Sequence, residues 1–257
     1  MRFLQDYIQQ FLTEESDRKN LGQELQTTKD TFDVFGTGNP ELAFEGLVQR
    51  YNWLGETENK LRYRIDQNLA RNLPGAMLQD FLLHLVIQHL REFPALEAFT
   101  EVRVPFGRYP LWNSGAVVYK TPSEHSDIAV GYLTENDQVK LSTLPWPRQP
   151  FCRLDRGQSI LPLVTINTKI RVSQSEFFDW QGREQLMTKG NPHCLSVQVA
   201  LRKEMDYDII EAAQARGKFF LLGEGGERNV KPNKAELKRL IHVFREHVSD
   251  RMSDLEP

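Results

Sequence analysis

The stretch SILPLVTINTK, residues 159–169, sets the tightest limit on what this chain can fold into. Its apolar residues run on without a polar alternation, so it reads as a strand buried on both faces. Such a strand needs neighbours at both edges and cover above and below. The run ends in Lys169. The next stretch, IRVSQSEFFDWQGREQLMTKGNP, carries Arg171, Glu176, Asp179, Arg183 and Glu184, and from about Ser173 to Lys189 it has helical character, stopped by KGNP. A core strand that hands an ammonium group to its end and then enters a charged helix belongs to an α/β protein, whose sites usually lie at strand ends.

The flanking sequence agrees. Phe3, Leu4, Tyr7, Ile8, Phe11 and Leu12 recur at helical spacing, GTGNP (36–40) is a turn, and 41–54 and 58–73 continue in helical period. Pro74 and Gly75 then open AMLQDFLLHLVIQHLREF, the most apolar helix, with proline suited to its first turn. From about Phe99 the pattern turns to strands (FTEVRVPF, GAVVYK, SDIAVGYL, QVKLSTL), and after the 173–189 helix come CLSVQVAL, a helix in DYDIIEAAQARG, KFFLLGEG and a C-terminal amphipathic helix. The order predicts a mixed central β-sheet flanked by helices, with an N-terminal helical region over 1–73 and the α/β core plus C-terminal helix over 74–257.

Composition narrows the class. With 40% apolar and 26% charged residues the chain is globular, and a net charge of −3 gives no general nucleic-acid signature, although a local basic surface would suffice for one. Cys152 and Cys194 make no disulfide framework and have no metal-ligand spacing. No apolar run reaches membrane-spanning length and MRFLQDYIQQFLTEE lacks the core of a signal peptide, so the expectation is a cytoplasmic protein with no membrane contact.

The chemistry gathers around Lys169. Asp127 opens the short apolar strand of SDIAVGY, and alternation puts Thr165, Asn167 and Lys169 on one face of theirs. A strand-borne aspartate, a lysine on the adjacent strand and a further carboxylate suit metal-dependent phosphodiester hydrolysis. Carboxylates hold Mg²⁺, which activates water, while the lysine stabilises charge on the phosphate. On spacing alone, a solvated lysine at a strand end and a salt-bridged helix face at Asp179, Arg183 and Glu184 are equally ordinary readings.

Asp127 together with Asn167-Thr168-Lys169 resembles the PD-(D/E)xK nuclease superfamily, and TKIRVSQSEFFDWQGREQLMTKGNP is similar to the core of type II restriction endonucleases over roughly 75–225. The likeness is to the branch whose second acid has moved from the strand to the following helix, ahead of a basic helix end, here Lys189-Gly190. The resemblance implies a restriction-endonuclease-like core, with Asp127, Lys169 and Glu184 as the catalytic set and Mg²⁺ as cofactor. It further implies double-stranded DNA as substrate, a homodimer, and a cognate DNA methyltransferase in the same system. The spacing from Lys169 to Glu184 is longer than that branch's pattern, so Glu176 stands as the rival ligand. Of the Arg-acid-Arg triplet that accompanies CCGG-type recognition only Arg171 is present.

Several further residues are candidates. Asp80, one turn before His84 on the apolar helix, is an additional metal ligand or part of an exposed polar stripe. Arg171, Ser173, Gln174, Arg183 and Lys189 around the lysine, and Arg228 and Lys231 in the glycine-rich GEGGERNVKPN, are candidate DNA contacts. Arg216 and Lys218 lie just ahead of that segment. It lacks the ending of a P-loop and reads as a mobile loop, while His193-Cys194 reads as a strand entry.

Overall fold

The fold was described from a computed structural model, in which residues 4–14, 17–33, 39–105, 109–113, 116–120, 123–135, 138–139, 158–226 and 229–253 are described. Among the described residues five helices come first: α1 (Leu4–Leu12), α2 (Asp17–Asp33), α3 (Pro40–Gly55), α4 (Thr57–Arg62) and α5 (Gln67–Leu90). The strands β1 (Glu97–Pro105), β2 (Tyr109–Asn113), β3 (Ala116–Lys120), β4 (Ser123–Glu135), β5 (Gln138–Val139) and β6 (Gln158–Ser173) follow. The chain continues through α6 (Gln174–Gly190), β7 (Leu195–Glu204), α7 (Tyr207–Ala215), β8 (Phe219–Leu221), β9 (Gly223–Gly226), β10 (Asn229–Pro232) and α8 (Lys234–Ser253).

The expected mixed sheet is present. Its main path runs β1-β4-β6-β7-β8, with β5 paired to β4. β1, β4 and β6 form an antiparallel meander, and β6, β7 and β8 are parallel, as the helical crossovers α6 and α7 require. At Gly131 the β4–β6 register shifts, and a Cβ there would stand 2.0 Å from the Leu161 carbonyl oxygen, so only glycine allows the approach.

Alternation along the strands feeds two layers. Ile128, Val130, Val164, Ile166, Val197, Val199 and Leu201 pack in one continuous core with α5, α8 and the N-terminal helices. On the opposite side Ala200 and Phe219 pack with Phe177 and Trp180 of α6 and Ile210 and Ala213 of α7.

Three local expectations need correction. Pro74 does not start its helix: α5 begins at Gln67, capped by the Asp66 side chain on the amide of Leu69 (2.8 Å), and runs through the proline. Leu69 and Leu73 before it are buried, so tertiary burial offsets the missing hydrogen bond. The segment 223–233 is not a loop throughout. Residues 223–226 and 229–232 form the β9–β10 hairpin, and Asn52 of α3 grips its outer strand, donating to the Val230 carbonyl (2.8 Å) and accepting from its amide (3.0 Å). Lys169, finally, is not at a strand end: β6 stays paired with β7 as far as Ser173.

Candidate active site

The sheet forks at Asp127. Pairing between β4 and β6 ends at Ile128 and Ile166. From that point β4 keeps its partner β1 back to Ser123, while β6 keeps its partner β7 on to Ser173. At the fork, polar side chains replace the lost ladder bonds. Oδ2 of Asp127 accepts the Thr168 amide (2.6 Å) and the Thr168 hydroxyl (2.9 Å). The Ser126 hydroxyl, which is buried, donates to the Ile128 carbonyl (2.7 Å) and lies 3.3 Å from the Ile166 carbonyl. Both bonds from Thr168 fall on Oδ2, so Oδ1 carries most of the carboxylate's remaining accepting capacity.

On the β6 limb, Lys169 is about half exposed, and its Nζ lies 3.8 Å from Oε1 of Glu176. Glu176 serves a second purpose. Its Oε2 accepts the Ser173 amide and hydroxyl, each at 3.0 Å, closing a capping box at the start of α6. Partial burial pushes the Glu176 carboxyl up, but the Ser173 bonds and the charges of Lys169 and Arg171 outweigh it and hold the group below its ordinary value. Arg171 pairs with Glu204 across to β7 (2.9 Å), so its guanidinium is engaged within the fold.

The remaining candidates are spread along α6 and beyond. The Glu184 carboxylate accepts the Thr188 hydroxyl (3.0 Å) and pairs with the Lys218 ammonium. Arg183 lines a recess at the fork together with His125, Ser126, Thr165, Asn167 and Ser196. Gln174 and Lys189 are exposed on α6, and Lys231 is exposed on β10. Ser173 is committed to the helix cap, and Arg228 and Cys152 lie outside the described residues. Burial pushes the Cys194 thiol up to about 12, against the smaller opposing effects of Thr165 and Lys218, so it is no nucleophile. Asp80 is buried rather than part of an exposed stripe, and its Oδ2 lies 3.8 Å from His84 Nδ1.

Sequence reasoning passed over three residues at the other limb, Glu101 and His125 on its strands and Gln79 on the helix above. Gln79, the neighbour of Asp80, is the α5 residue that reaches the fork. Its Nε2 donates to the Asp127 carbonyl (3.0 Å) and to Oε1 of Glu101 (2.9 Å). Glu101 falls opposite Asp127, between the pairs Thr100–Ile128 and Val102–Ser126, with φ at 52°. Its Oε2 lies 3.2 Å from Nε2 of His125. Burial raises the Asp127 carboxyl above its ordinary value and Glu101 adds to the rise, while the Thr168 bonds and His125 oppose it.

No family model matches the chain, and no curated protein matches it. Among solved structures, a chain of the "native BbvCI A2B2 tetramer at low resolution" is similar, with a TM-score of 0.58 at 12% identity, covering 97% of this chain and 98% of that one. The fold is restriction-endonuclease-like. The likeness extends over nearly the whole of both chains, N-terminal helices included, and at this identity it speaks for the fold alone. No described helix is long and apolar enough to cross a membrane.

Among the described residues no three His, Cys, Asp or Glu side chains converge as metal ligands. Mg²⁺ does not require such a cage. It keeps several waters and takes one or two carboxylates plus substrate phosphates, and the oxygen chemistry at Asp127 fits it.

Proposed function

We propose that the chain is a Mg²⁺-dependent endonuclease that cuts double-stranded DNA at a short specific site, a type II restriction enzyme of the PD-(D/E)xK kind. The observation that carries this reading is the fork, which sets Asp127 at the parting of β4 and β6 with Lys169 just beyond it on the β6 limb. Asp127 would hold the cation, which when bound supplies a Lewis acid and an activated water. Thr168 fixes the carboxylate's rotation through two bonds to one oxygen, so that Oδ1 is presented. Lys169 brings a positive charge to the phosphate in a setting where Glu176 steadies its side chain. Glu184 and Glu176 are the second acids expected from sequence. Arg183 at the recess, with Gln174 and Lys189 exposed on the same helix, offers phosphate and base contacts.

The reading includes a twofold assembly, a role in dimerisation or DNA clamping for the N-terminal helical region 1–73, a cognate methyltransferase and a cytoplasmic location. On α6, Phe178 and Leu186 are exposed at i and i+8 around Gly182, where an added Cβ would meet nothing within 4 Å. A second copy packed antiparallel about an axis at Gly182 would set Phe178 of each copy against Leu186 of the other.

The test is incubation with phage DNA and Mg²⁺, comparing Lys169→Ala. Discrete fragments that fall by about 10²–10³-fold in rate in the variant support the restriction enzyme. Unspecific degradation points instead to a repair nuclease of the same superfamily. A second reading, a DNA-binding protein with an inactive core, is favoured by Asn167 in the place of the strand acid, and would give retarded but uncut DNA.

A further inference from the structure

We propose that Glu101, on β1, is the second carboxylate of this cation site, supplying from the neighbouring strand the acid that Asn167 cannot, and that Gln79 is its positioning residue. The inference rests on the nuclease reading above and names a different ligand from the two on α6. Glu101 and Asp127 face each other across the β1–β4 ladder, on the limb that swings away from β6. Glu101 holds φ at 52°, a conformation that disfavours any residue with a Cβ, in the middle of a strand where an extended backbone would cost nothing. The surroundings enforce it. Gln79 is 2% exposed, and through one amide nitrogen it ties the Glu101 side chain to the Asp127 backbone. A buried amide that bonds the Glu101 carboxylate and the Asp127 backbone holds the Glu101 side chain beside the β4 strand, as outer-shell partners do at metal centres.

The competing acids are otherwise engaged. Glu176 faces the Lys169 ammonium and caps α6, and Glu184 is paired with Lys218. Moving either onto a cation would break a pair with an ammonium group, whereas the partner of Glu101 is the His125 ring at 3.2 Å, a cation only when protonated. Glu101 and Asp127 instead stand at opposite positions of one ladder with His125 beside Glu101, and a divalent cation bound there would offset the like charge of the two carboxylates.

The experiment measures Mn²⁺ binding to the full chain by electron paramagnetic resonance, without DNA, in parallel with DNA cleavage. Glu101→Gln and Asp127→Asn should each weaken Mn²⁺ binding about tenfold or more, with Gln79→Leu weakening it less. Glu176→Gln and Glu184→Gln should leave it within about twofold. Glu101→Asp, which keeps the charge, should recover part of the loss, and thermal melts of each variant confirm that it is folded. Unchanged binding in a folded Glu101→Gln, alongside a loss in Asp127→Asn, overturns the role of Glu101 and leaves the nuclease reading standing. A loss in Glu184→Gln or Glu176→Gln instead returns the ligand to α6. A wild-type chain that neither binds Mn²⁺ nor cuts DNA overturns both.

Discussion

At Asp127 the same carboxylate splices a broken strand ladder and, on our reading, receives a cation. Burial pushes its proton affinity up, Glu101 pushes further, and the two bonds from Thr168 only partly compensate. Because the folded carboxyl titrates above its unfolded value, ionising it works against folding. That cost is absent below the unfolded pKa, grows as pH rises from there to the folded one, and is fully present above it. Asp127→Asn keeps an oxygen for the Thr168 amide and removes the charge. It should therefore melt higher than wild type at pH 7.5 without metal, with the gap closing toward pH 4, while cleavage is lost. A lower melting temperature at pH 7.5 would show that the Thr168 bonds outweigh the burial. That Asp127 and Lys169 lie on neighbouring strands was legible in sequence, because each follows from a strand pattern and a charge out of place in it. Glu101 was not, since in FTEVRVPF a glutamate at an alternating position reads as solvent-facing. Gln79 stood beside Asp80, the acid that drew the functional reading.

Helix α6 shows how a cap and a charge network share residues. The Ser173 hydroxyl and the Glu176 carboxylate satisfy each other's backbone amides, and the motif Ser-x-x-Glu announces the start in the sequence itself. Ser173→Ala should cost about 1 kcal/mol in urea unfolding, and the same variant should loosen Lys169 by freeing Glu176. What local pattern did not reveal was the length of β6. Arg171 and Ser173 look like exit residues, yet Val172 between them is fully buried, and pairing with β7 carries the strand onward. Lys169 thus sits on a rigid element, not a fraying end. The outer face of α6 carries a second prediction. Leu186→Asp should shift the chain from dimer to monomer in sedimentation velocity without lowering its melting temperature. A variant that sediments as wild type would remove α6 from the assembly.

Across the whole molecule one apolar core links the N-terminal helices, the sheet and α8, and it was legible as an apolar fraction long before its partners could be assigned. Two histidines sit at its margin. Burial lowers His89 and His247 below the ordinary 6.5, and in His247 it outweighs the bonds to the carbonyls of Leu163 and His193. Both favour the neutral form when folded, so the stability they protect is complete above about pH 6.5 and is lost as acidification carries the unfolded chain through that value. Urea midpoints should fall between pH 7 and 5, and less steeply in His247→Gln. The Asn52 clasp on Val230 has a consequence of another kind. A strand with free amides and carbonyls along its edge is a template on which a stranger's backbone can add itself, and by filling those two groups from within the chain, Asn52 leaves β10 with less to offer a neighbouring molecule in a crowded cell.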